Sequence, residues 1–165
     1  MKTKLAISLA VAIVCLNQAL AAAYKPDFSG TWVLDKNRSF SNPPGLDQTI
    51  VVVQSGDQIK IDSKLVTTQG ERQVNEAYSL DGKEAEFAPQ GGQPNAKGKR
   101  TATWLPDGRG FTVIDTVTTT SEKGPVVGQT TRKWTLSPDG NTLTIDYYFD
   151  DQRGSFEAKR VFTKK

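Results

Sequence analysis

Apolar and polar residues alternate along most of this chain with a period of two. Trp32 and Leu34 alternate with Thr31 and Val33, and Ile50 to Val53 is a β-branched run. After the turn Ser55-Gly56-Asp57, Ile59 and Ile61 resume the pattern. Val74, Glu76, Tyr78 and Leu80 lead to Asp81-Gly82, and Ala85 and Phe87 follow. Ala102 and Trp104 precede Pro106-Asp107-Gly108; Phe111, Val113, Asp115 and Val117 then share one face. Trp134 and Leu136 precede Pro138-Asp139-Gly140, and Leu143, Ile145, Tyr147 and Phe149 alternate with Thr142, Thr144, Asp146 and Tyr148. The last such segment puts Phe156, Ala158, Arg160 and Phe162 on one face and Ser155, Glu157 and Lys159 on the other. Side chains of a strand point alternately to its two faces, so each segment reads as a strand. No stretch of residues 24–165 keeps a helical period for three turns.

The pattern predicts nine or ten short strands joined by Gly and Asp-Gly turns, an antiparallel meander. So many strands must protect their edges, and closure into a barrel removes the edges. The expected fold is therefore all-β: a single antiparallel up-and-down barrel over residues 28–164, lipocalin-like, with a β-sandwich as the alternative. Asp35 to Gln48 and Pro89 to Gly98, rich in Asn, Pro and Gly, read as two long loops at a barrel mouth. The likeness between Trp104–Gly108 and Trp134–Gly140 hints at a propeller repeat, but the chain is too short for four blades. Both read as hairpin turns, with Pro setting φ before Asp-Gly.

The first residues change the length available for folding. Two lysines in Met1–Lys4, an apolar run from Leu5 to Leu16 and the small residues Ala19–Ala23 form the pattern of a secretory signal peptide over residues 1–23. The run is shorter than the roughly 20 residues of a membrane-spanning helix. Val14 before Cys15 is too large for lipoprotein processing. Cleavage is expected after Ala21 or Ala23, and the product is expected in the periplasm or outside the cell with no stable membrane anchor. Of 165 residues, 142 then remain (24–165), and the formal charge falls from +3 to +1 because Lys2 and Lys4 leave. Cys15, the only cysteine, leaves too, so the domain has no disulfide to staple it. A monomer of this size buries enough surface to fold unaided. No Lys/Arg cluster with interleaved aromatics marks a nucleic-acid partner.

The chain contains no histidine, which removes Ser-His-Asp and Cys-His catalysis and histidine-bearing zinc sites. No nucleophile elbow, phosphate loop, dinucleotide fingerprint or calcium-loop spacing occurs. No cofactor and no metal site are expected. Glu84 with Glu86, and Asp150 with Asp151, could make a carboxylate pair for glycoside chemistry, but both lie beside turns and read as solvated charges. Asn37-Arg38-Ser39 is a glycosylation sequon, meaningful only in a eukaryotic secretory pathway.

Three charges interrupt faces that are otherwise apolar: Glu76 between Val74 and Tyr78, Asp115 between Val113 and Val117, and Arg132 two residues before Trp134. An unpaired charge is too costly for a dry core. Either these faces line a wet cavity, or the charges pair with one another, or the faces look outward.

The two ends carry a family resemblance. Phe28-Ser29-Gly30-Thr31-Trp32 resembles the Gly-x-Trp opening strand of the calycins, the superfamily of lipocalins, fatty-acid-binding proteins and avidins. Arg160-Val161-Phe162 with Lys164 is similar to the closing strand of fatty-acid-binding proteins, which carries Arg-x-Tyr and then a basic residue. The opening and the final strand together also resemble small exported bacterial lipocalin-like proteins. The resemblance implies a barrel in which Trp32 plugs the closed end and Arg160 stacks over it, with Gly30, Trp32 and Arg160 as a structural signature. In fatty-acid-binding proteins the matching Arg instead grips a ligand carboxylate. Phe162 here lacks the hydroxyl of that site, and Asn42-Pro43-Pro44-Gly45 interrupts the region where a helical lid would lie. The expected function is non-catalytic binding of a small hydrophobic or amphiphilic molecule. Arg160, Phe162, Arg132, Glu76, Tyr78, Asp115 and Tyr147 are the candidate contacts. An interaction or inhibitor module that uses the barrel as a platform is the alternative, and an isomerase or cyclase working inside it a third reading.

Overall fold

Ten strands form where the alternation places them: β1 (Gly30–Leu34), β2 (Asp47–Ser55), β3 (Gln58–Thr67), β4 (Gly70–Ser79), β5 (Asp81–Phe87), β6 (Lys97–Trp104), β7 (Gly110–Ser121), β8 (Gly124–Leu136), β9 (Thr142–Asp151) and β10 (Gly154–Lys164). The computed structural model describes residues 25–89, 96–122, 124–152 and 154–165. The predicted signal peptide and Cys15 lie outside the described residues. The only helical element described is a single 3-10 turn at Lys36–Arg38, capped by the Asp35 carboxylate, which accepts from the Asn37 and Arg38 amides.

All ten strands belong to one antiparallel sheet in the order β4-β3-β2-β1-β10-β9-β8-β7-β6-β5. Each strand neighbours the next in sequence except across one seam, and β1 pairs with β10, so the meander rolls up into a barrel rather than a sandwich. Closure is not complete. β4 and β5 are separated only by Leu80, yet they share no ladder. The Leu80 amide donates to the Asp57 carbonyl at 2.8 Å and its side chain is buried, which turns the chain away from β4 before β5 begins. The two free edges carry Glu71, Arg72, Lys83, Glu84 and Glu86, and β5 is irregular between Asp81 and Glu84. Charge and a broken register are what keep open edges from pairing with other chains.

The two Pro-Asp-Gly segments are the β6–β7 and β8–β9 hairpins, with Gly108 and Gly140 in the left-handed region at φ 69° and 70°. At this end an aromatic group closes the barrel. Phe28, Trp32, Phe111 and Trp134 are buried; Phe111 meets Phe28 edge-on at 4.9 Å and stacks on Trp134 at 5.3 Å. Ile50, Val52, Ile59, Ile61, Leu143, Ile145 and Phe162 pack around them to form the core. Gly110 is built into this end by close contact: a β-carbon there would come within 2.0 Å of the Trp134 carbonyl oxygen. Backbone cannot yield as a side-chain tip can, so Gly110→Ala is expected to cost about 1–3 kcal/mol, as overpacking does. Urea denaturation checks this, and an unchanged midpoint would contradict the tight β7–β8 approach.

Candidate functional site

Half-way up the barrel the apolar core gives way to a group of four charges. Glu76 on β4, Arg100 on β6, Asp115 on β7 and Arg132 on β8 all point inward, because each lies an even number of residues from a core position on its strand. Arg132 donates to both Glu76 oxygens (3.0 and 2.8 Å) and to Asp115 (2.7 Å); Arg100 donates to both Asp115 oxygens (2.5 and 2.9 Å) and to Glu76 (3.0 Å). Each carboxylate therefore bridges both guanidiniums, and the group is neutral overall. Of the three possibilities left open by the sequence, this is pairing among the charges. The Tyr78 ring lies under both cations, 4.8 Å from Arg100 and 5.5 Å from Arg132, and Arg100 also covers Phe87 at 4.2 Å. Burial pushes the Glu76 carboxyl up, but the charge and hydrogen bonds of Arg132, with Arg100 behind them, outweigh it and hold it below its ordinary value. Burial drives the Tyr78 phenol well above its ordinary value, and the Glu76 charge adds to the effect, so Tyr78 stays neutral. Its hydroxyl meets no acceptor at bonding geometry.

Above these charges the interior is open. The upper end holds the β1–β2 loop and the C-terminal ends of β3, β5, β7 and β9. A cleft of about 620 Å³ lies between Pro43, Pro44 and Leu46 of the loop, Leu65 and Thr67 of β3, Glu71 (paired with Lys64) and Arg72 of β4, and Arg160 of β10. A second space of about 390 Å³ lies by Val117, Thr119, Val126 and Gly128. Arg160 is held at this level by three neutral groups: it donates to Asn42 Oδ1 (3.0 Å), Gln48 Oε1 (2.9 Å) and the Tyr147 hydroxyl (3.3 Å). Its guanidinium also covers the Tyr147 ring at 4.7 Å. Among the described residues no carboxylate forms an ion pair with it.

The structure corrects the expected stacking of Arg160 on Trp32. The cation over Trp32 is Lys164, 5.2 Å from the ring centroid. The reason is register: Trp32 pairs with Lys164 and Leu34 with Phe162. Arg160 thus lies four residues, about 13 Å of strand, from the level of Trp32. Gly30 and Trp32 do close the lower end, with Trp32 Nε1 donating to the Phe28 carbonyl at 3.0 Å.

Of the other candidate contacts, Phe162 has no exposed surface and is a core residue, placed below the open half by its pairing with Leu143. Glu76, Asp115 and Arg132 come together and, with Arg100, pair their charges as the floor, over the Tyr78 ring. Arg160 lines the cleft, and Tyr147 stands behind it, accepting from it through its hydroxyl and lying under its guanidinium. Sequence reading missed Arg100, Gln48 and Asn42. Arg100 had a signal, standing two residues before Ala102 on the same face; Gln48 and Asn42 had none. Glu84 is exposed and pairs with Lys99 at 2.7 Å, and Asp150 accepts from Ser155 at 2.9 Å, while Asp151 borders the space by Val117 and Gly128. Among the described residues no group of three metal-ligating side chains gathers.

No protein-family model and no curated protein matches this chain. Solved structures do. The zebrafish ileal bile acid-binding protein complexed with cholic acid shares 16% identity over 84% of this chain and 98% of its own, with a TM-score of 0.50. Secretory abundant heat soluble protein 4 from Ramazzottius varieornatus shares 12% identity over 87% of this chain and 99% of its own, at 0.49. A fatty-acid-binding protein from Manduca sexta shares 13% over 83% and 99%, at 0.42. The first likeness shows the fold alone, an antiparallel up-and-down barrel of ten strands.

Proposed function

We propose that this protein is a non-catalytic binding protein that holds a small amphiphilic anion in the upper half of its barrel. The observation that carries the reading is Arg160, a guanidinium on the wall of a 620 Å³ cleft whose partners among the described residues are neutral. A partly buried cation without a counter-charge attracts an anion, and a charge-assisted hydrogen bond in such a site contributes about 1.5–3 kcal/mol. Leu46, Leu65, Pro43 and Pro44 on the facing side supply apolar surface for the rest of the ligand. Pockets of several hundred Å³ with an apolar lining and a few placed polar groups are the usual form of small-molecule sites. The cleft favours the carrier over the rigid-platform alternative, which would have the barrel filled throughout. The zebrafish neighbour is named for binding a bile acid, a relation in keeping with this reading. The protein is further proposed to act outside the cytoplasm after removal of residues 1–23, as a monomer, on the strength of the charged, apolar and small-residue pattern of that segment.

The test is a fluorescence titration with 8-anilinonaphthalene-1-sulfonate. Arg160→Gln is expected to weaken binding at least about tenfold, the equivalent of roughly 1.4 kcal/mol, with the barrel still folded by circular dichroism. Unchanged affinity in the variant, or no binding by the wild type, overturns the reading. Organic extraction of the purified protein followed by mass spectrometry then identifies what it carries.

A further inference from the structure

We infer that the chamber selects compact, ring-bearing organic anions over linear acyl chains; the inference rests on the reading of the chamber as an anion site. Two observations carry it. The first is a strip of aromatic rings that starts at the anchor and ends at the rim. Arg160 covers Tyr147 at 4.7 Å, Tyr147 lies nearly parallel to Phe149 (5.8 Å, 8°), and Phe149 stacks on Phe156 (4.4 Å, 13°). Pairing of Phe149 with Phe156 and of Tyr147 with Ala158 places all of these on the inward face of β9 and β10. Phe156 is nonetheless 56% exposed, because it stands where the barrel opens, with its ring stacked on Phe149. A planar ring can continue this stack, and ring-on-ring contact adds attraction beyond the area it buries. A saturated chain gains the area alone.

The second observation is the floor. On β9 the fully buried Ile145 is followed by Tyr147, and the strand ends at Asp151. The wall between them is about 13 Å of strand, less in depth once strands tilt as barrels require. Below it lie Glu76, Arg100, Asp115 and Arg132, which close the route downward with paired charges. An extended long acyl chain anchored at Arg160 would have to bend back or leave its end in water. A fused-ring acid of similar carbon count fits between the anchor and the rim.

Isothermal titration of the full domain with 2-naphthoate and with decanoate separates the classes, since the two carry one carboxylate and nearly equal carbon number. Naphthoate is expected to bind at least about tenfold more tightly. Phe156→Leu, at an exposed rim position, is expected to cut that preference to about threefold or less while leaving decanoate affinity unchanged. Decanoate binding as tightly as naphthoate overturns the inference and leaves the anion site standing, provided Arg160→Gln weakens both. A preference that survives Phe156→Leu unchanged overturns the role of the strip. Failure of both acids to bind overturns the inference together with the reading it rests on.

Discussion

Arg132→Met is expected to destabilise the protein by about 3–5 kcal/mol at neutral pH, the usual cost of removing one partner from a buried ion pair. Arg132 supplies three of the six hydrogen bonds that bind Glu76 and Asp115, and its side chain is only 10% exposed. Without it two carboxylates face Arg100 alone in a poorly solvated interior, and the remaining charge is uncompensated. A loss of this size is a large share of the 5–15 kcal/mol by which domains are stable. The pH dependence gives a second readout. In the wild type the Glu76 carboxyl lies below its ordinary 4.5, so its contribution is complete above that pH and is lost as pH falls through the depressed folded value. In Arg132→Met the main group that lowers it is gone and burial dominates, so Glu76 takes up a proton at higher pH and sheds the penalty of being charged. The gap between wild type and variant should therefore be widest near pH 7 and narrow toward pH 4. Urea denaturation at the two pH values measures it; a loss below about 1 kcal/mol, or a gap that widens on acidification, would show that the four charges are solvated rather than paired.

Trp32→Ala should cost a similar amount, about 3–5 kcal/mol, because a large ring without exposed surface leaves a cavity that the barrel end cannot collapse into. The indole also holds the Phe28 carbonyl, which loses its partner in the variant. Double-mutant cycles then read the seam between β1 and β10. Contacting residues couple by about 0.5 kcal/mol or more and distant ones add. Trp32 with Lys164 should couple at about that size, the value of an exposed cation over a ring. Trp32 with Arg160 should show none within error. The reverse pattern would place the closing strand four residues away from the register Trp32↔Lys164.

Much of the architecture was legible because a strand has a simple rule. Alternation at Phe111–Val117 and Leu143–Phe149, with Pro-Asp-Gly turns beside them, specifies the β6–β7 and β8–β9 hairpins; Asp81-Gly82 instead falls inside β5 and makes no hairpin with β4. The Gly30-Thr31-Trp32 segment drew attention to Trp32, which is fully buried. Legibility stopped where residues far apart in sequence meet. The four interior charges come from β4, β6, β7 and β8, so only three of them could be picked out, each as an oddity on its own strand. Arg160 was visible as an inward cation, but its partners Asn42 and Gln48 lie more than a hundred residues away, and no local pattern links them.

The sequence by itself determined the class of fold, the strand positions and the face each side chain takes, because pleat and turn chemistry are set by near neighbours. Tertiary structure alone decided the register of β1 on β10, the open β4–β5 seam and the depth of the chamber. Those depend on how a closed sheet distributes one core over ten strands. A slip of four residues along one pair keeps every side chain on its face, so alternation cannot detect it. It nevertheless moves the guanidinium of Arg160 from a plug over Trp32 to an anchor at the mouth.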